Sequence, residues 1–292
     1  MNIAVVVPTI ESRKEIFDKF MYRWQPYFVL HEVRFITVLD GDKPKVRCDD
    51  QPWMTPKEVM GKYESCLSNF NAGIRNLGFA YIAKYLPEVD MILTLDDDCL
   101  PVKNPIQDHI DALNMRVPTS WMSTAVGEYM RGFPYNIRNE AEVVLSHGVW
   151  EGVADWDAPN QLINGSYRPV EFYKGPIPNG VLFPVCAMNM AFKPKLLPYI
   201  FQAPWALGIH RFDDIFAGIT AKRAIDTEGW AAVSGYARIH HDRASDVFTN
   251  LKNEAPGIEL NETYFLGNED HEYFKIYKEK LNTWQSYLKT LQ

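Results

Sequence analysis

Short apolar runs alternate with helical periodicity over the first hundred residues. The runs at 3–7, 33–39 and 91–95 are compact and rich in β-branched side chains, which predicts buried strands. Segments 12–24 and 68–85 instead repeat apolar residues every three or four positions, which predicts helices. Strands and helices that alternate in this order form βαβ units around a common sheet, so we expect an α/β fold.

Polar residues follow each of these three strands directly. They are Pro8 and Thr9, Asp40 to Asp42, and Asp96, Asp97 and Asp98. Open α/β sheets bind ligands at the carboxyl ends of their strands, where these side chains would converge. Three adjacent carboxylates repel one another and are easiest to hold around a cation, and hard oxygen donors suit Mg²⁺ or Mn²⁺. The pattern predicts a nucleotide-sugar site, with a solvated acidic turn as the alternative.

Later segments add further candidate residues. The predicted helix 68–85 carries Arg75 and Asn71 one turn apart, so both can face the same way. Asp213 and Asp214 precede an apolar helical segment, where helix capping is the alternative to catalysis. His241, beside a second histidine, suits a metal ion, although single histidines more often serve as hydrogen-bonding groups. Residues 43–61 predict a loop or a short helix, and 117–192 predict loops that carry acceptor-binding or catalytic groups.

Composition narrows the choice of function. The chain has 292 residues, 47% of them apolar and 23% charged, which is typical of a globular protein. Its net charge of −7 makes a broad nucleic-acid-binding surface unlikely. The four cysteines are far apart and predict free thiols of a reducing compartment. With neither a signal-peptide pattern nor a stretch long enough to span a membrane, the sequence predicts a cytoplasmic protein. No Gly-x-Gly-x-x-Gly follows the first strand, which disfavours a Rossmann dinucleotide site.

Long motifs in a fixed order resemble the reversibly glycosylated polypeptide family, whose plant members are UDP-arabinopyranose mutases. The motifs are VVVPTI, LDGD, LDDDC, RGFPYNIR, LSHGVW, DWDAPNQL, GVLFPVCAMNMAF, RFDDIFAG and IHHDRAS. The resemblance runs from the first strand to about Leu251. It implies a GT-A-like (Rossmann-like) nucleotide-sugar-binding fold with a mixed, mostly parallel central sheet, a UDP-sugar substrate, and Mn²⁺ or Mg²⁺ as cofactor.

The resemblance also implies roles for individual residues. The expected metal ligands are Asp96, Asp98 and His241. The expected nucleotide-sugar-binding residues are Pro8, Thr9, Asp40, Asp42, Arg75, Asp96, Asp97, His147 and Asn189. The expected catalytic residues are Arg131, Arg138, Asp213 and Asp214. In the family, the position of Arg131 is reversibly glycosylated, and that of Arg138 is needed for this activity.

The chemistry of Arg131 leaves two interpretations open. A guanidinium remains protonated up to a pKa above about 12, so bonding to sugar needs a carboxylate that takes its proton. Asp213 or Asp214 is the candidate for that role. In the other interpretation, Arg131 and Arg138 only clamp the diphosphate, which is the commonest use of arginine.

The expected function is a metal-dependent mutase that interconverts the pyranose and furanose forms of a UDP-sugar, with self-glycosylation on Arg131. The alternatives are a glycosyltransferase with a separate glycan, protein or modified nucleic-acid acceptor, and a non-catalytic self-glycosylated carrier. Departures from the plant pattern at Glu11 to Arg13, Leu39, Ala187 and His240 bear on which sugar is used and on whether the activity is that of a mutase or a transferase. We expect a single catalytic domain over 1–260, with a nucleotide-binding half at 1–100 and a sugar or acceptor half at 101–260. An amphipathic helical extension over 261–292 would pack on the body or in a homo-oligomer.

Overall fold

A computed structural model of the chain describes residues 1–121, 128–153, 155–167, 171–242 and 246–292, and only the backbone of residue 137. The strands in these segments are β1 Ile3–Thr9, β2 Arg34–Leu39, β3 Lys45–Cys48, β4 Met91–Leu95, β5 Cys99–Pro101, β6 Arg116–Val117, β7 Ala141–Gly152, β8 Gly175–Ile177, β9 Asn189–Phe192 and β10 Ala231–His241. The α-helices are α1 Lys14–Leu30, α2 Pro56–Met60, α3 Arg75–Tyr85, α4 Pro105–Leu113, α5 Ala158–Asn164, α6 Asp213–Thr227, α7 Val247–Phe265 and α8 Glu272–Lys289.

One mixed sheet runs through the protein in the order β3-β2-β1-β4-β9-β7-β10-β5. β1 lies between β2 and β4 and is parallel to both, as the βαβ pattern predicts. β9 runs antiparallel between β4 and β7, whereas β7 and β10 form a long parallel pair. The expected α/β fold with a mixed central sheet is confirmed. The parallel share is smaller than expected, with three of nine pairings between the described strands.

The segment 43–61 contains a strand that the sequence pattern did not predict. β3 pairs antiparallel with β2 at the edge of the sheet, and helix α2 follows it. Only Val46 and Cys48 of this four-residue strand are buried, because an edge strand packs on one face alone. So short an alternation, among many polar residues, is too weak a periodic signal to predict a strand.

Two apolar layers cover the two faces of the sheet. One face packs on α1 and α4 through side chains such as Phe20, Trp24 and Ile106. The other packs on α3, α6 and α8. Gly78 lets α3 approach β1 closely, since a Cβ at this position would lie 2.5 Å from Cγ1 of Val6. This close approach brings Arg75, the first residue of α3, beside the end of β4.

The C-terminal helix α8 is amphipathic, as the sequence predicts, and it packs on the body of the protein. Trp284 is fully buried, and its indole Nε1 donates a hydrogen bond of 2.8 Å to the carbonyl of Leu197. The hydroxyl of Tyr287 donates to the carbonyl of Ala80 in α3 at 3.1 Å. Helix α7 continues across the expected boundary between 260 and 261. A single hydrophobic cluster includes side chains of both α8 and the sheet.

None of the helices in the described part of the chain combines the length and the hydropathy needed to cross a bilayer.

Removal of the Trp284 side chain tests whether α8 belongs to the folding unit. We expect Trp284→Ala to lower the free energy of unfolding by about 3 to 5 kcal/mol, because it leaves a large cavity and an unpaired carbonyl. Chemical denaturation monitored by circular dichroism measures this change. Asn282→Ala, on the exposed side of the same helix, is the control and should change stability by less than about 0.5 kcal/mol. An equal, small effect of both substitutions would mean that α8 is not part of the core.

Candidate active site

A cavity of about 740 Å³ opens at the carboxyl ends of β1 and β4. The loops after β1, β4 and β7 and the first turn of α6 contribute to its walls, together with polar residues of α7. This is the edge of the sheet at which the sequence predicts a ligand site. The volume lies within the range of small-molecule sites in proteins, about 300 to 1,000 Å³.

Arg75 and Asp96 form an ion pair on the cavity wall. The Arg75 side chain is 2% exposed, and its Nη2 contacts Oδ1 of Asp96. Two further hydrogen bonds hold the guanidinium, from Nε to Thr94 Oγ1 at 2.9 Å and from Nη1 to the carbonyl of Ala72 at 3.3 Å. Strand β4 and the short 3₁₀ turn before α3 therefore fix Arg75 in place. The expected position of Arg75 near the triple aspartate is observed.

A second arginine, Arg13, neutralises the other two aspartates. Its Nη2 lies 2.9 Å from Oδ1 of Asp97 and 2.7 Å from Oδ2 of Asp98. Thr9, at the end of β1, donates from Oγ1 to Oδ2 of Asp97 at 2.7 Å. Burial raises the pKa of the Asp97 carboxyl, and the Thr9 hydrogen bond and the Arg13 charge oppose that shift. Asp97 is thus a buried anchor for the loop, whereas Asp96 and Asp98 line the cavity.

His241 comes to the same wall because β10 pairs antiparallel with β5, opposite Cys99. Its Nε2 lies 3.8 Å from Oδ1 of Asp98, and its Nδ1 is 2.9 Å from the carbonyl oxygen of Val153. A carbonyl accepts only from a protonated nitrogen, so Nδ1 carries a proton, and Nε2 is the nitrogen that faces Asp98. This orientation is common in metal-binding histidines.

The expected metal ligands nevertheless do not form a ready site. No group of three or more His, Cys, Asp or Glu side chains in the described part of the chain is arranged to hold a metal ion. The physical reason is that Arg75 already binds Asp96 and Arg13 already binds Asp98. As arranged, the residues do not fit a divalent cation.

Two more acids line the cavity at the first turn of α6. Asp214 accepts a hydrogen bond of 3.0 Å from the backbone N–H of Ala187. Burial, followed by the charges of Asp213 and Asp155, raises the pKa of the Asp214 carboxyl to about 7. Asp213 is 6% exposed, and its Oδ2 has no hydrogen-bond partner among the described residues. Helix capping requires neither the raised pKa of Asp214 nor the unpaired oxygen of Asp213.

The aspartates after β2 lie outside the cavity wall. Asp40 accepts hydrogen bonds from the backbone N–H groups of Gly41 at 2.8 Å and Phe70 at 3.0 Å. Burial raises the pKa of the Asp40 carboxyl. Because Phe70 lines the cavity, Asp40 positions part of its wall. Asp42 is exposed, and neither it nor Pro8 lines the cavity.

His147 and Asn189 were expected to bind the nucleotide sugar, but both are buried away from the cavity. His147 is 6% exposed, its Nδ1 lies 3.1 Å from Ser234 Oγ, and burial lowers the pKa of its imidazole to about 3. Asn189 is fully buried and bonded to His109 and to the carbonyl of Val149. Both side chains make hydrogen bonds inside the sheet, and neither lines the cavity.

Arg131 and Arg138 also lie away from the cavity wall. Arg131 is exposed in a turn. The guanidinium of Arg138 stacks on Tyr135 at 3.7 Å and on Tyr129 at 4.5 Å, and its Nη2 donates to the carbonyl of Phe133 at 3.0 Å. Arg138 lines a separate, open hollow of the surface. The structure therefore brings together Arg75, Asp96 to Asp98, His241, Asp213 and Asp214. Arg131 and Arg138 lie elsewhere.

Sequence reasoning missed several cavity residues. Arg13 was noted only as a departure from the plant pattern, and its signal was a basic residue four positions after Thr9. Asp155, Asp157 and Gln161 all line the cavity and all belong to the motif DWDAPNQL. That motif was used for the family resemblance alone, although its acidic and amide side chains are suited to binding sugar hydroxyls.

Comparison with known proteins agrees with the sequence motifs. A model of the reversibly glycosylated polypeptide family matches residues 1–266. UDP-arabinopyranose mutase 3 of Arabidopsis thaliana is 32% identical over 282 residues, covering 88% of this chain and 75% of that protein. Probable UDP-arabinopyranose mutase 1 of Pisum sativum is 32% identical and covers 88% of this chain and 74% of that protein. Glucosyl-3-phosphoglycerate synthase of Mycobacterium tuberculosis resembles 92% of this chain and 81% of its own, at 14% identity and a TM-score of 0.46. The chain belongs to the reversibly glycosylated polypeptide family.

Proposed function

We propose that this protein is a UDP-sugar mutase that interconverts the pyranose and furanose forms of a UDP-pentose such as UDP-arabinose. The observation that carries the proposal is that the cavity has one part lined by arginines and another lined by acids. Arg13 and Arg75 lie beside the triple aspartate, and the acids Asp213 and Asp214 line the same cavity at α6. The names of the relatives support the choice of a mutase reaction.

The bond changes of the reaction define what the site must do. The bond from the anomeric carbon to the β-phosphate breaks, and UDP leaves with the electron pair. O4 then bonds to the anomeric carbon and loses its proton, and the bond from that carbon to the ring oxygen O5 breaks as O5 takes a proton. UDP then returns to the anomeric carbon. Over the whole sequence one proton leaves O4 and one reaches O5, so one carboxyl that gives and takes a proton suffices.

Asp214 suits this proton transfer. A carboxyl with a pKa of about 7 is present in both protonation states at neutral pH, which is the condition for a group that acts as acid and as base. Asp213 and Asp155 help to maintain that pKa through their negative charges. The Ala187 N–H fixes one oxygen of Asp214 and thereby orients the carboxyl.

The arginines suit the other half of the reaction. Negative charge develops on the β-phosphate as UDP leaves, and fixed guanidinium groups stabilise such charge. Arg75 is buried and held by three partners, so little reorganisation is needed when UDP leaves. No step of this proposal passes through a divalent cation. Homo-oligomer formation and the use of Mn²⁺ or Mg²⁺ remain predictions from the family resemblance.

A direct assay tests the reaction class. We expect the purified protein to convert UDP-arabinofuranose into UDP-arabinopyranose without any acceptor, as followed by anion-exchange chromatography. Parallel samples contain Mn²⁺, Mg²⁺ or EDTA. If a pentose product forms only after an acceptor is added, the protein is a glycosyltransferase and the proposal is wrong.

Asp214→Asn tests the acid–base assignment. We expect this variant to lose about 10²- to 10⁴-fold in kcat, the usual contribution of general acid–base catalysis. Wild-type kcat should fall as the pH drops below about 7, because the carboxylate that takes the first proton is lost. Asp18→Asn, an exposed surface change on α1, is the control and should retain full activity. Full activity of Asp214→Asn would contradict the assignment.

Asp214→Asn should increase the stability of the protein, although it decreases activity. The folded-state pKa of Asp214 lies above its ordinary value of 3.8, so its stabilising contribution is complete below that value. This contribution is lost as the pH rises through about 7. An asparagine is neutral at all pH values, so we expect Asp214→Asn to raise Tm at pH 8 relative to wild type, and to raise it less at pH 5. Differential scanning calorimetry at both pH values measures the two shifts.

The role of Arg131 needs a separate experiment, because Arg131 does not line the cavity. If Arg131 is the glycosylated residue, intact-mass spectrometry after incubation with UDP-glucose should show an added hexose in wild type and none in Arg131→Lys. Arg116→Lys, at another surface arginine, is the control. Labelling that persists in Arg131→Lys would place the modification elsewhere.

A further inference from the structure

The ion pairs of Arg13 indicate a role besides the stabilisation of the leaving diphosphate. We infer that Arg13 is the resident counter-ion of Asp97 and Asp98, and that it competes with a divalent cation for Asp98. One guanidinium nitrogen lies within 2.9 Å of both carboxylates, 2.9 Å from Asp97 and 2.7 Å from Asp98. A metal ion that uses Asp98 as a ligand must displace this contact.

Burial makes the counter-ion necessary. The side chains of Asp97 and Asp98 are 3% and 11% exposed, so water screens their mutual repulsion poorly. Removing one partner of a buried charge pair leaves an uncompensated charge, which is strongly unfavourable. A nearby cation therefore stabilises the two carboxylates. In the absence of a divalent ion, Arg13 supplies it.

The backbone after β1 places Arg13 beside Asp97 and Asp98. β1 and β4 are adjacent and parallel, so the residues that follow β1 lie beside the aspartates that follow β4. Ile10 is extended, and a single 3₁₀ turn, Glu11–Arg13, then brings the arginine back over the strand ends. The N–H of Arg13 donates to the carbonyl of Ile10 at 3.0 Å and closes that turn.

Arg13 keeps donors for a ligand while it holds the aspartates. Its side chain is 30% exposed and lines the cavity. Its Nε is buried and has no hydrogen-bond partner in the described segments. Its Nη2 holds the aspartates, and the partly exposed guanidinium that lines the cavity is suited to an anion such as a diphosphate. Binding of UDP without an added divalent cation is the consequence, and it rests on the function proposed above.

Once Arg13 is removed, Asp98 and His241 are the residues that would bind a metal ion. The Nε2 of His241 faces Oδ1 of Asp98 at 3.8 Å. Asp98 and His241 then present one oxygen and one nitrogen donor to the vacated position, a donor set that accepts Mn²⁺. Arg75 remains on Asp96 and is not part of the competition.

Titration with Mn²⁺ alone tests the inference, with free Mn²⁺ measured by electron paramagnetic resonance. Arg13→Met removes the charge and keeps the apolar stem, so we expect Mn²⁺ to bind at least about tenfold more tightly than to wild type. Arg13→Lys keeps a point charge that cannot bridge two carboxylates equally well, and an intermediate affinity is expected. Arg23→Met, at an exposed arginine of α1, is the matched control and should bind Mn²⁺ like wild type.

Two outcomes would overturn the inference. One is an unchanged or weaker Mn²⁺ affinity of Arg13→Met that circular dichroism shows to be folded. The other is a gain that persists in Arg13→Met/Asp98→Asn, because Mn²⁺ would then bind elsewhere. If Arg13→Met does not fold, Arg13→Lys decides, and no gain over wild type overturns the inference.

Calorimetric titration with UDP in EDTA separates this inference from the proposed function. Wild type should bind UDP, and Arg13→Met should bind it at least about tenfold more weakly. Absence of UDP binding to wild type, with or without Mn²⁺, would count against the proposed function. The Mn²⁺ titration remains decisive for Arg13 in that case, since it contains no nucleotide.

Discussion

Three consecutive carboxylates at the end of a buried strand must be neutralised, and much of the site follows from the way this chain does so. Arg75 reaches Asp96 from the start of α3, and Arg13 reaches Asp97 and Asp98 from the turn after β1. Both arginines come from elements packed on β1 or continuous with it. The close approach of α3 to β1 at Gly78 is thus part of the same arrangement, because it positions Arg75.

The cavity also contains acids that no arginine neutralises directly. Asp213 and Asp214 lie together at the first turn of α6, with no salt bridge to either carboxyl among the described residues. Burial raises the pKa values of both carboxyls, and the charge of Asp213 raises that of Asp214 further. One cavity therefore combines permanently charged guanidinium groups with a carboxyl, Asp214, whose pKa is about 7. A mutase needs both, one to stabilise the leaving diphosphate and the other to move a proton between sugar oxygens.

The sequence was most informative where local patterns determine structure. Compact β-branched runs predicted β1, β2 and β4, and the polar residues after β1 and β4 predicted the edge of the sheet where the cavity opens. The pattern failed for β3, because a four-residue edge strand buries only two side chains. It did not reveal, for another reason, that His147 and Asn189 are buried away from the cavity. A motif indicates that a residue has a role in the family. Only the packing shows whether its side chain makes hydrogen bonds inside the protein or faces a cavity.

Arg13 illustrates what spacing alone does not reveal. Its position depends on a single 3₁₀ turn and on the pairing of β1 with β4, two features that join residues 84 and 85 positions apart in the chain. The placement of Arg131 and Arg138 likewise depends on a surface segment whose aromatic stacking has no periodic signal.

The most direct measurement of the central claim is a crystal structure of the protein with UDP. The account predicts the diphosphate within hydrogen-bonding distance of Arg75 and Arg13, with the β-phosphate directed toward the part of the cavity lined by Asp213 and Asp214. A diphosphate bound instead in the hollow beside Arg138, with the cavity at β1 and β4 empty, would contradict it.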